Sequence, residues 1–480
     1  MKVVLLALNG SYSHTNLAIR CLRAPLERAG YDVVLCEHNL HDMTLSILER
    51  LVSEKADVYG FSSYIWNITE MLGLAQDLKK LMPSSKTVFG GPEVSFGTER
   101  FDYPFIDYII CGEGEDAIVK ICNAVRDGEK CERIVQGGRP DVMRDEGILY
   151  RDGDFVGGAM LYYESSRGCP YRCSYCLSSA SDGVRAKTVA QTLSDLGEFE
   201  KAHEKIKIIK FVDRTFNFNV KRANEIWRAL LSGKFTKNYH FEVCANLLDD
   251  ESFEIFSLFP KGKIQLEIGL QSTNSVTLET VSRHLDAKKI TKAAERIKKF
   301  GNIHVHVDLI AGLPYENYES FKKSFDDAYY CCDMLQLGFL KLLYGTELRR
   351  RADEYGIVCM SKAPYTVLKT KWLSFEEILH LQKIADVLDR YRESGGFDSC
   401  LEYALDGVDS PFAFYDGLLG YITENDGRSI RRISQNDAYR LLYEYVSVTQ
   451  PSKEPMFSEK MHSDYSQKEV RKVPLFLKSK

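Results

Sequence analysis

Short apolar segments alternate with amphipathic segments from the N-terminus to about residue 350, and this alternation constrains the fold more than any other feature. The series begins with the apolar run KVVLLALN and continues with NLAIRCLRAPLERAG, whose apolar residues recur at helical spacing and stop at Gly30. Buried apolar strands that alternate with amphipathic helices indicate parallel sheets with helices on both faces. A chain of 480 residues is too long for one core, so we expect two or three domains.

Residues 1–130 contain the first series, which predicts an α/β domain of Rossmann-like, flavodoxin type with five parallel strands. Ligands of such sheets bind beyond the carboxyl ends of the strands. The sequence has small or polar residues at these ends, in the loops NGSYSHTN, SSYIWN, GGPEVS and GEGE. We therefore expect a ligand site along this edge of the sheet.

A second series follows a less regular segment. Residues 131–157 contain Gly, Pro and charged residues with little periodicity, which predicts a linker with one hairpin. Six further strands with intervening helices follow over residues 158–350 and predict a partial (β/α)6 TIM-like barrel. Residues 351–480 have a mainly helical pattern, and we expect the last thirty to form a mobile tail or an edge that wraps the barrel.

Charge and composition argue against several classes of function. The net charge of -5 argues against a nucleic acid bound through bulk electrostatics. No apolar run approaches the ~20 residues that a membrane span needs, and the N-terminus lacks a small-residue cleavage site. Most of the 13 cysteines lie singly in apolar strands or helices, as is typical of small core residues in a reducing compartment. We therefore expect a cytoplasmic protein.

Three cysteines stand apart from the others. In SSRGCPYRCSYCLSS, Cys169, Cys173 and Cys176 lie in a loop directly after the first barrel strand, where chemistry is expected. A zinc site usually has four ligands, and a disulfide would leave one thiol over. Three thiolates on a loop can hold a 4Fe-4S cluster with one iron left open for a substrate. Three inert structural thiols remain the alternative, although such thiols favour apolar settings.

This stretch resembles the radical S-adenosylmethionine (SAM) superfamily, in which a CxxxCxΦC motif, with Φ aromatic, follows the first strand of a partial barrel. The resemblance implies that Cys169, Cys173 and Cys176 ligate three irons and that the fourth iron chelates SAM. It further implies reductive cleavage of SAM to a 5'-deoxyadenosyl radical, with Tyr175 packed on the adenine. An electron donor such as flavodoxin or ferredoxin is the partner that the family implies.

Residues at the ends of later strands resemble other SAM contacts of the family. Asp213 follows the second strand, Glu242 lies on the third, Glu267 and Gln271 lie on the fourth, and Gly312 follows the fifth. The family's Gly-Gly-Glu type motif is absent. Asp213 as a turn cap and Glu242 at a strand edge are the alternatives, but an unpaired buried charge is rare, which favours a site role for Glu242.

The N-terminal domain resembles the cobalamin-binding domain of the cobalamin-dependent radical subclass. The Asp-x-His-x-x-Gly motif is absent, although His14 lies in the corresponding loop. Ser62 and Ser63 match the serine near the third strand end, and Gly90 and Gly91 match the Gly-Gly after the fourth. Small residues there would let the backbone approach a bulky nucleotide tail. A surface role for His14 is the alternative to a cobalt ligand.

Together these resemblances imply a radical enzyme with three cofactors: a 4Fe-4S cluster, SAM and cobalamin. The implied reaction is hydrogen abstraction from an unactivated carbon followed by methyl transfer, on a small molecule or a peptide. A radical oxidoreductase or cyclase that uses cobalamin as a redox partner is one alternative, and a non-catalytic redox sensor is another. The C-terminal region resembles a domain of unknown function that accompanies this pair of domains.

Overall fold

The N-terminal sheet is parallel throughout. The computed structural model describes residues 1–140, 148–151, 154, 160–180, 182–202 and 206–468. Within these residues the sheet has six strands in the order β2-β1-β3-β4-β5-β6, the flavodoxin-type order with one strand added. The strands are β1 (Lys2–Asn9), β2 (Asp32–Asn39), β3 (Val58–Ser62), β4 (Lys86–Gly90), β5 (Tyr108–Cys111) and β6 (Ile134–Gln136). The predicted fold class of this domain is confirmed.

Helices cover both faces of this sheet. They are α1 (Leu17–Arg28), α2 (Thr44–Glu54), α3 (Ile68–Leu81) and α4 (Glu115–Asp127). One core contains Ile19 of α1 with Ile121 of α4, and the other contains Leu51 of α2 with Met71 of α3. Each helix therefore buries its apolar stripe on one side of the sheet, and the loops at the carboxyl ends of the strands stay available for a ligand.

Strand β6 is the one element that differs from the five strands predicted for this sheet. It pairs in parallel with β5 and lies in the segment that the sequence predicts to be a linker. It is only three residues long, with Val135 as its buried position, so neither strand nor helix periodicity can reveal it. Residues 141–147, 152–153 and 155–157 of the segment with the predicted hairpin lie outside the described residues.

The second sheet is an open barrel. Six parallel strands occur in the order β14-β13-β12-β11-β10-β7 among the described residues, which confirms the predicted partial (β/α)6 barrel. A short antiparallel pair, β8–β9, flanks the loop that carries the three cysteines. The strands are β7 (Leu161–Tyr163), β8 (Ser166–Arg167), β9 (Arg185–Ala186), β10 (Ile208–Phe211), β11 (Asn238–Val243), β12 (Ile264–Gln271), β13 (His304–Ala311) and β14 (Met334–Phe339). The helices are α5 (Val189–Ala202), α6 (Val220–Leu230), α7 (Asp250–Ser257), α8 (Ser275–Thr280), α9 (Ala287–Lys298) and α10 (Tyr318–Tyr329).

The C-terminal region is mainly helical, as predicted, and packs on the barrel. After α11 (Glu347–Arg350), the pair β15 (Val358–Cys359) and β16 (Val367–Lys369) precedes the last helices. These are α12 (Phe375–Leu388), α13 (Asp398–Leu405), α14 (Pro411–Asn425), α15 (Gln435–Thr449) and α16 (Glu454–Lys468). Asp326 of α10 accepts a hydrogen bond from the backbone N–H of Phe412 at 2.8 Å, which joins α14 to the barrel. No helix in the described ranges is long and apolar enough to cross a membrane.

Helix α16 corrects the expectation of a tail over the last thirty residues. Phe457, Met461 and Tyr465 are fully buried, and α16 packs against α13 and α15. The buried stripe is only one residue wide per turn, so polar residues between these positions conceal it in the sequence. Residues 469–480 lie outside the described part of the chain.

Candidate functional site

The three cysteines lie on a loop that is fixed by backbone contacts to distant segments. Gly168, with φ of +103°, precedes Cys169 in a conformation that favours glycine. Ser174, between Cys173 and Cys176, donates its backbone N–H to Val281 O at 2.9 Å. Its backbone oxygen accepts a hydrogen bond from the Leu348 N–H at 2.8 Å. Cys173 is buried, and Cys169 and Cys176 are half-buried. The loop is thus held at the mouth of the barrel with its thiols at different depths.

The side chains around the thiols suit thiolate ligands. The guanidinium of Arg283 donates to Cys173 Sγ at 3.5 Å, and Thr215 Oγ1 lies 3.5 Å from Cys169 Sγ. Within the described residues, no group of three His, Cys, Asp or Glu side chains is arranged to hold a single metal ion. The ligands of a cubane cluster bind separate irons and need not converge on one point. Three soft thiol donors beside a positive charge therefore fit an iron–sulfur cluster.

Tyr175, between Cys173 and Cys176 in the cysteine loop, packs against the barrel core. Its ring is half-buried, and burial raises the pKa of its hydroxyl above the usual range. The position is compatible with the predicted contact to the adenine of SAM, which stays a prediction.

Asp213 supports the strand that leads into the cysteine loop. Its carboxylate accepts hydrogen bonds from the Ser165 backbone N–H at 2.8 Å and from the hydroxyls of Ser165 and Ser166, both at 2.6 Å. The side chain is fully buried, and burial raises its pKa despite these bonds. Its predicted contact to SAM stays a prediction.

Glu267 is paired inside the barrel. Lys210 Nζ lies 3.1 Å and His240 Nε2 lies 2.9 Å from Glu267 Oε2. Burial opposes ionisation of Glu267, but the His240 hydrogen bond and the Lys210 charge together lower its pKa to about 2. The three side chains come from adjacent strands β10, β11 and β12, so they form a charged layer where barrel interiors are usually apolar.

Glu242 and Gln271 are less well paired than Glu267. Burial raises the pKa of Glu242 to about 7, although Arg214 lies 4.0 Å away and opposes the shift. Gln271 has φ of +72°, and its buried Oε1 has no hydrogen-bond partner among the described residues. Gly312 has φ of +96° directly after β13, as a close backbone approach would need. These three residues stay candidates for SAM contacts.

One cavity of about 890 Å³ lies between the two sheets. On one side its walls are the loops after β1, β3, β4 and β5, including Gly10, Tyr64, Trp66 and Gly112. On the other side they include Gly168 and Ser178 of the cysteine loop, with Lys210, Arg214 and Glu242 of the barrel. The ligand edge of the N-terminal sheet and the cysteine loop therefore open into the same space.

Four of the five predicted cobalamin contacts line this cavity: His14, Ser62, Gly90 and Gly91. Gly91 has φ of +114°, and a Cβ there would lie 2.5 Å from Ser63 O, so the loop is built for a glycine. These small residues leave room for a bulky ligand at the strand ends, which fits cobalamin. Ser63 is fully buried and donates its hydroxyl to Phe61 O at 3.2 Å, so the structure does not bring its side chain to the cavity.

His14 joins the two domains at this cavity. Its Nδ1 lies 3.2 Å from the hydroxyl of Tyr162 on β7. Burial and the positive charge of Lys210 lower the pKa of His14, which favours the neutral imidazole that a metal ligand needs. Its predicted role as a cobalt ligand stays a prediction.

Sequence reasoning missed the basic residues of this site. Lys210 and Arg214 line the cavity, and Arg283 contacts Cys173. Lys210 is a charge within the otherwise apolar stretch IIKFV, the same signal that singled out Glu242. Arg283 follows a short helix in a region with no comparable pattern, so only the folded loop brings it to Cys173.

Comparison with sequence families divides the chain into three parts. The family described as B12 binding domain matches residues 3–122, and the Radical SAM superfamily matches residues 163–328. A family described as a protein of unknown function, DUF4080, matches residues 353–480.

Individual relatives resemble the chain at low identity. An uncharacterized methyltransferase of Pyrococcus horikoshii is 24% identical, over 75% of this chain and 85% of its own length. The cobalamin-dependent radical SAM methyltransferase TokK of Streptomyces tokunonensis is 26% identical, over 55% of this chain. The matched part is only 44% of TokK, so the chain spans less than half of that relative.

A solved structure resembles nearly the whole chain. The cobalamin-dependent SAM radical enzyme OxsB, solved with aqua-cobalamin and SAM bound, superimposes with a TM-score of 0.66 at 14% identity. The match covers 98% of this chain and 82% of OxsB. The likeness establishes a shared fold, including the helical region after the barrel.

Proposed function

Because the chain is a radical SAM protein with a B12-binding domain in front of its barrel, we propose that it transfers methyl groups to an unactivated carbon. The substrate class that we propose is a small molecule or a peptide. The observation that carries the proposal is the shared cavity, whose walls combine the cysteine loop with the glycine-lined edge of the N-terminal sheet. A redox sensor would not need a cavity that joins two cofactor sites.

In this proposal, Cys169, Cys173 and Cys176 hold a 4Fe-4S cluster, and the loops at His14, Gly90 and Gly91 hold cobalamin. When bound, the cluster supplies one electron for reductive cleavage of SAM, and cobalamin supplies the methyl group. The chain's own residues bind and orient these groups and keep water from the barrel interior.

The geometry supports different roles for the remaining candidates. Tyr175, Glu242, Gln271 and Gly312 are proposed to contact SAM, since they lie along the barrel mouth. Asp213 is proposed to position the cysteine loop through Ser165 and Ser166.

Glu267 is proposed to act through its partners. Its ionised carboxylate holds the ammonium of Lys210 and the imidazole of His240. Lys210 itself lines the cavity, so Glu267 fixes the direction from which that charge faces the reacting groups.

The cluster half of the proposal is tested under anaerobic conditions. Protein reconstituted with iron and sulfide should bind the cluster and release 5'-deoxyadenosine from SAM, and Cys173→Ala should abolish both. Cys244→Ala is the matched control, because this buried thiol lies 3.0 Å from the Tyr171 hydroxyl beside the loop. Retained SAM cleavage in Cys173→Ala, or loss of the cluster in Cys244→Ala, would contradict the three-cysteine assignment.

The cobalamin half has its own reporter. Trp66 lines the cavity with its side chain half exposed, whereas Trp227 is fully buried in the barrel core. Hydroxocobalamin should stay bound through gel filtration and quench tryptophan fluorescence, and Trp66→Phe should remove most of the quenched signal. Elution of the protein without cobalamin absorbance would leave the B12-binding domain without its ligand.

Methyl transfer and a redox role differ in the fate of the methyl group. With SAM labelled in its methyl group, methyl transfer moves the label into the product, whereas a redox enzyme leaves it in methionine. A low-potential donor such as flavodoxin or ferredoxin is the proposed source of electrons. It should replace chemical reductant in the SAM cleavage assay.

A further inference from the structure

A set of five side chains joins the loop that begins at Gly90 and Gly91, which we call the cobalamin loop, to the segment that contacts the cysteine loop. We call it the arginine–tyrosine bridge: Glu93, Arg100, Tyr344, Arg349 and Tyr365. Glu93 and Arg100 belong to the N-terminal domain, and the other three follow the barrel.

The bridge begins two residues after Gly91. Glu93 is buried, and its carboxylate accepts hydrogen bonds from Arg100 at 3.0 Å and from the Tyr365 hydroxyl. Arg100 also donates to the backbone oxygens of Glu93 and Phe96, both at 3.0 Å. These contacts fix the course of the loop that leaves Gly91.

Tyr344 forms the centre of the bridge. The guanidinium carbon of Arg100 lies 3.5 Å from the centre of its ring, and that of Arg349 lies 3.4 Å from it. The chains are close here, since a Cβ on Gly345 would lie 2.4 Å from the Phe96 ring. Two cations stacked on one ring repel each other, and the carboxylate of Glu93 beside Arg100 offsets that repulsion. Packing alone does not require such an arrangement at a half-buried position.

The bridge ends at the cysteine loop. Arg349 belongs to α11, and its guanidinium donates to Leu342 O. The neighbouring residue, Leu348, donates its backbone N–H to Ser174 O at 2.8 Å, between Cys173 and Cys176. One continuous series of contacts therefore runs from Gly91 to the loop that carries the cluster cysteines.

We propose that the arginine–tyrosine bridge sets the separation between the cobalamin loop and the cysteine loop, with Tyr344 as its central positioning residue. The proposal rests on the proposed function, because it assigns cobalamin and a cluster to the two loops. Two reacting centres need a fixed separation, since small displacements of reacting groups cost large factors in rate. Rigid elements outside the site commonly supply that precision.

The test uses the full chain loaded with both cofactors. Cob(II)alamin and the reduced cluster each carry an unpaired spin, so their magnetic interaction in electron paramagnetic resonance depends steeply on their separation. Tyr344→Ala should keep iron and cobalamin at wild-type content and lose most of the interaction. Tyr344→Phe keeps the ring between the two guanidinium groups and should retain it. An unchanged interaction in Tyr344→Ala would overturn the proposal.

A second variant keeps the test decisive if Tyr344→Ala does not fold. Arg349→Met removes one stacked cation and keeps the aliphatic stem, and it should weaken the interaction in the same direction. Wild-type protein without measurable spin interaction would also overturn the proposal, because the loops would then lie too far apart to need positioning. Wild-type protein that binds only one cofactor would instead contradict the proposed function, which separates the two failures.

Discussion

Gly91 shows how one residue type determines the shape of the loop after β4. Its φ of +114° disfavours any side chain, and a Cβ would lie 2.5 Å from the backbone oxygen of Ser63. We expect Gly91→Ala to lower the free energy of unfolding by more than ~1 kcal/mol and to weaken cobalamin retention. Gly73→Ala is the control, because Gly73 lies within α3 with open space around it. This substitution should raise the free energy of unfolding by about 0.5–1 kcal/mol. Equal effects of the two substitutions in urea unfolding would refute this account.

Protonation of Glu242 should make the stability of the folded protein depend on pH. Its folded pKa of about 7 lies above the ordinary value of 4.5, so the folded protein binds the proton more tightly than the unfolded chain. The resulting stability is present below pH 4.5 and is lost as the pH rises through 7. Glu242→Gln should therefore stabilise the cofactor-free protein at pH 8 and have little effect near pH 4.5, as measured by urea unfolding. A destabilised variant at pH 8 would show that Arg214 needs the charged form.

At the residue scale, the sequence predicted the ligand-site loops better than it predicted which side chains pair with one another. The tight spacing of the three cysteines and the glycines at the strand ends are local features, and local features can be read from sequence. The pairings of Glu267 with Lys210 and with His240 are not local. They depend on how strands from separate segments align, and neighbouring parallel strands are separated in the chain by a crossover of a dozen or more residues.

At the element scale, α16 provides a matched pair of positions. Phe457 is fully buried between helices, whereas the adjacent Met456 is 46% exposed. Phe457→Ala should lower the free energy of unfolding by about 3–5 kcal/mol, because it leaves a cavity in a packed core. Met456→Ala should change it by no more than ~0.5 kcal/mol. Thermal unfolding of the two variants checks this, and similar midpoints would mean that α16 does not contribute to the core.

The elements that escaped prediction share a physical cause. Strand β6 has three residues and α16 buries one residue per turn, so both present too few apolar positions to produce a period. The longer strands and helices of the barrel present several each, as α9 does over Ala287–Lys298. An element is thus easier to predict from the sequence when it buries more apolar surface.

At the scale of the whole molecule, charged residues join the domains at the edge of the cavity. Arg167, which precedes Gly168 and the cysteine loop, contacts Glu113 and Glu115 of the N-terminal domain, both at 2.8 Å. It also contacts Glu164 of the barrel at 2.7 Å. None of these partners could be read from sequence, because each domain alone would leave its charges solvated. The join therefore becomes visible only when both domains are folded.

Arg167→Met should reveal how much this join holds the two domains together. The substitution leaves three partly buried carboxylates with less positive charge, so we expect a loss of roughly 3 kcal/mol and a separate, earlier unfolding transition in calorimetry. Arg126→Met is the control, because the Arg126–Asp127 pair is exposed on α4 and screened by solvent, so its loss should barely change the stability. A single transition shifted no further than in the control would mean that apolar contacts alone hold the domains together. A separate, earlier transition would instead assign two roles to Arg167, since the residue that joins the domains also precedes the loop that carries the three cysteines.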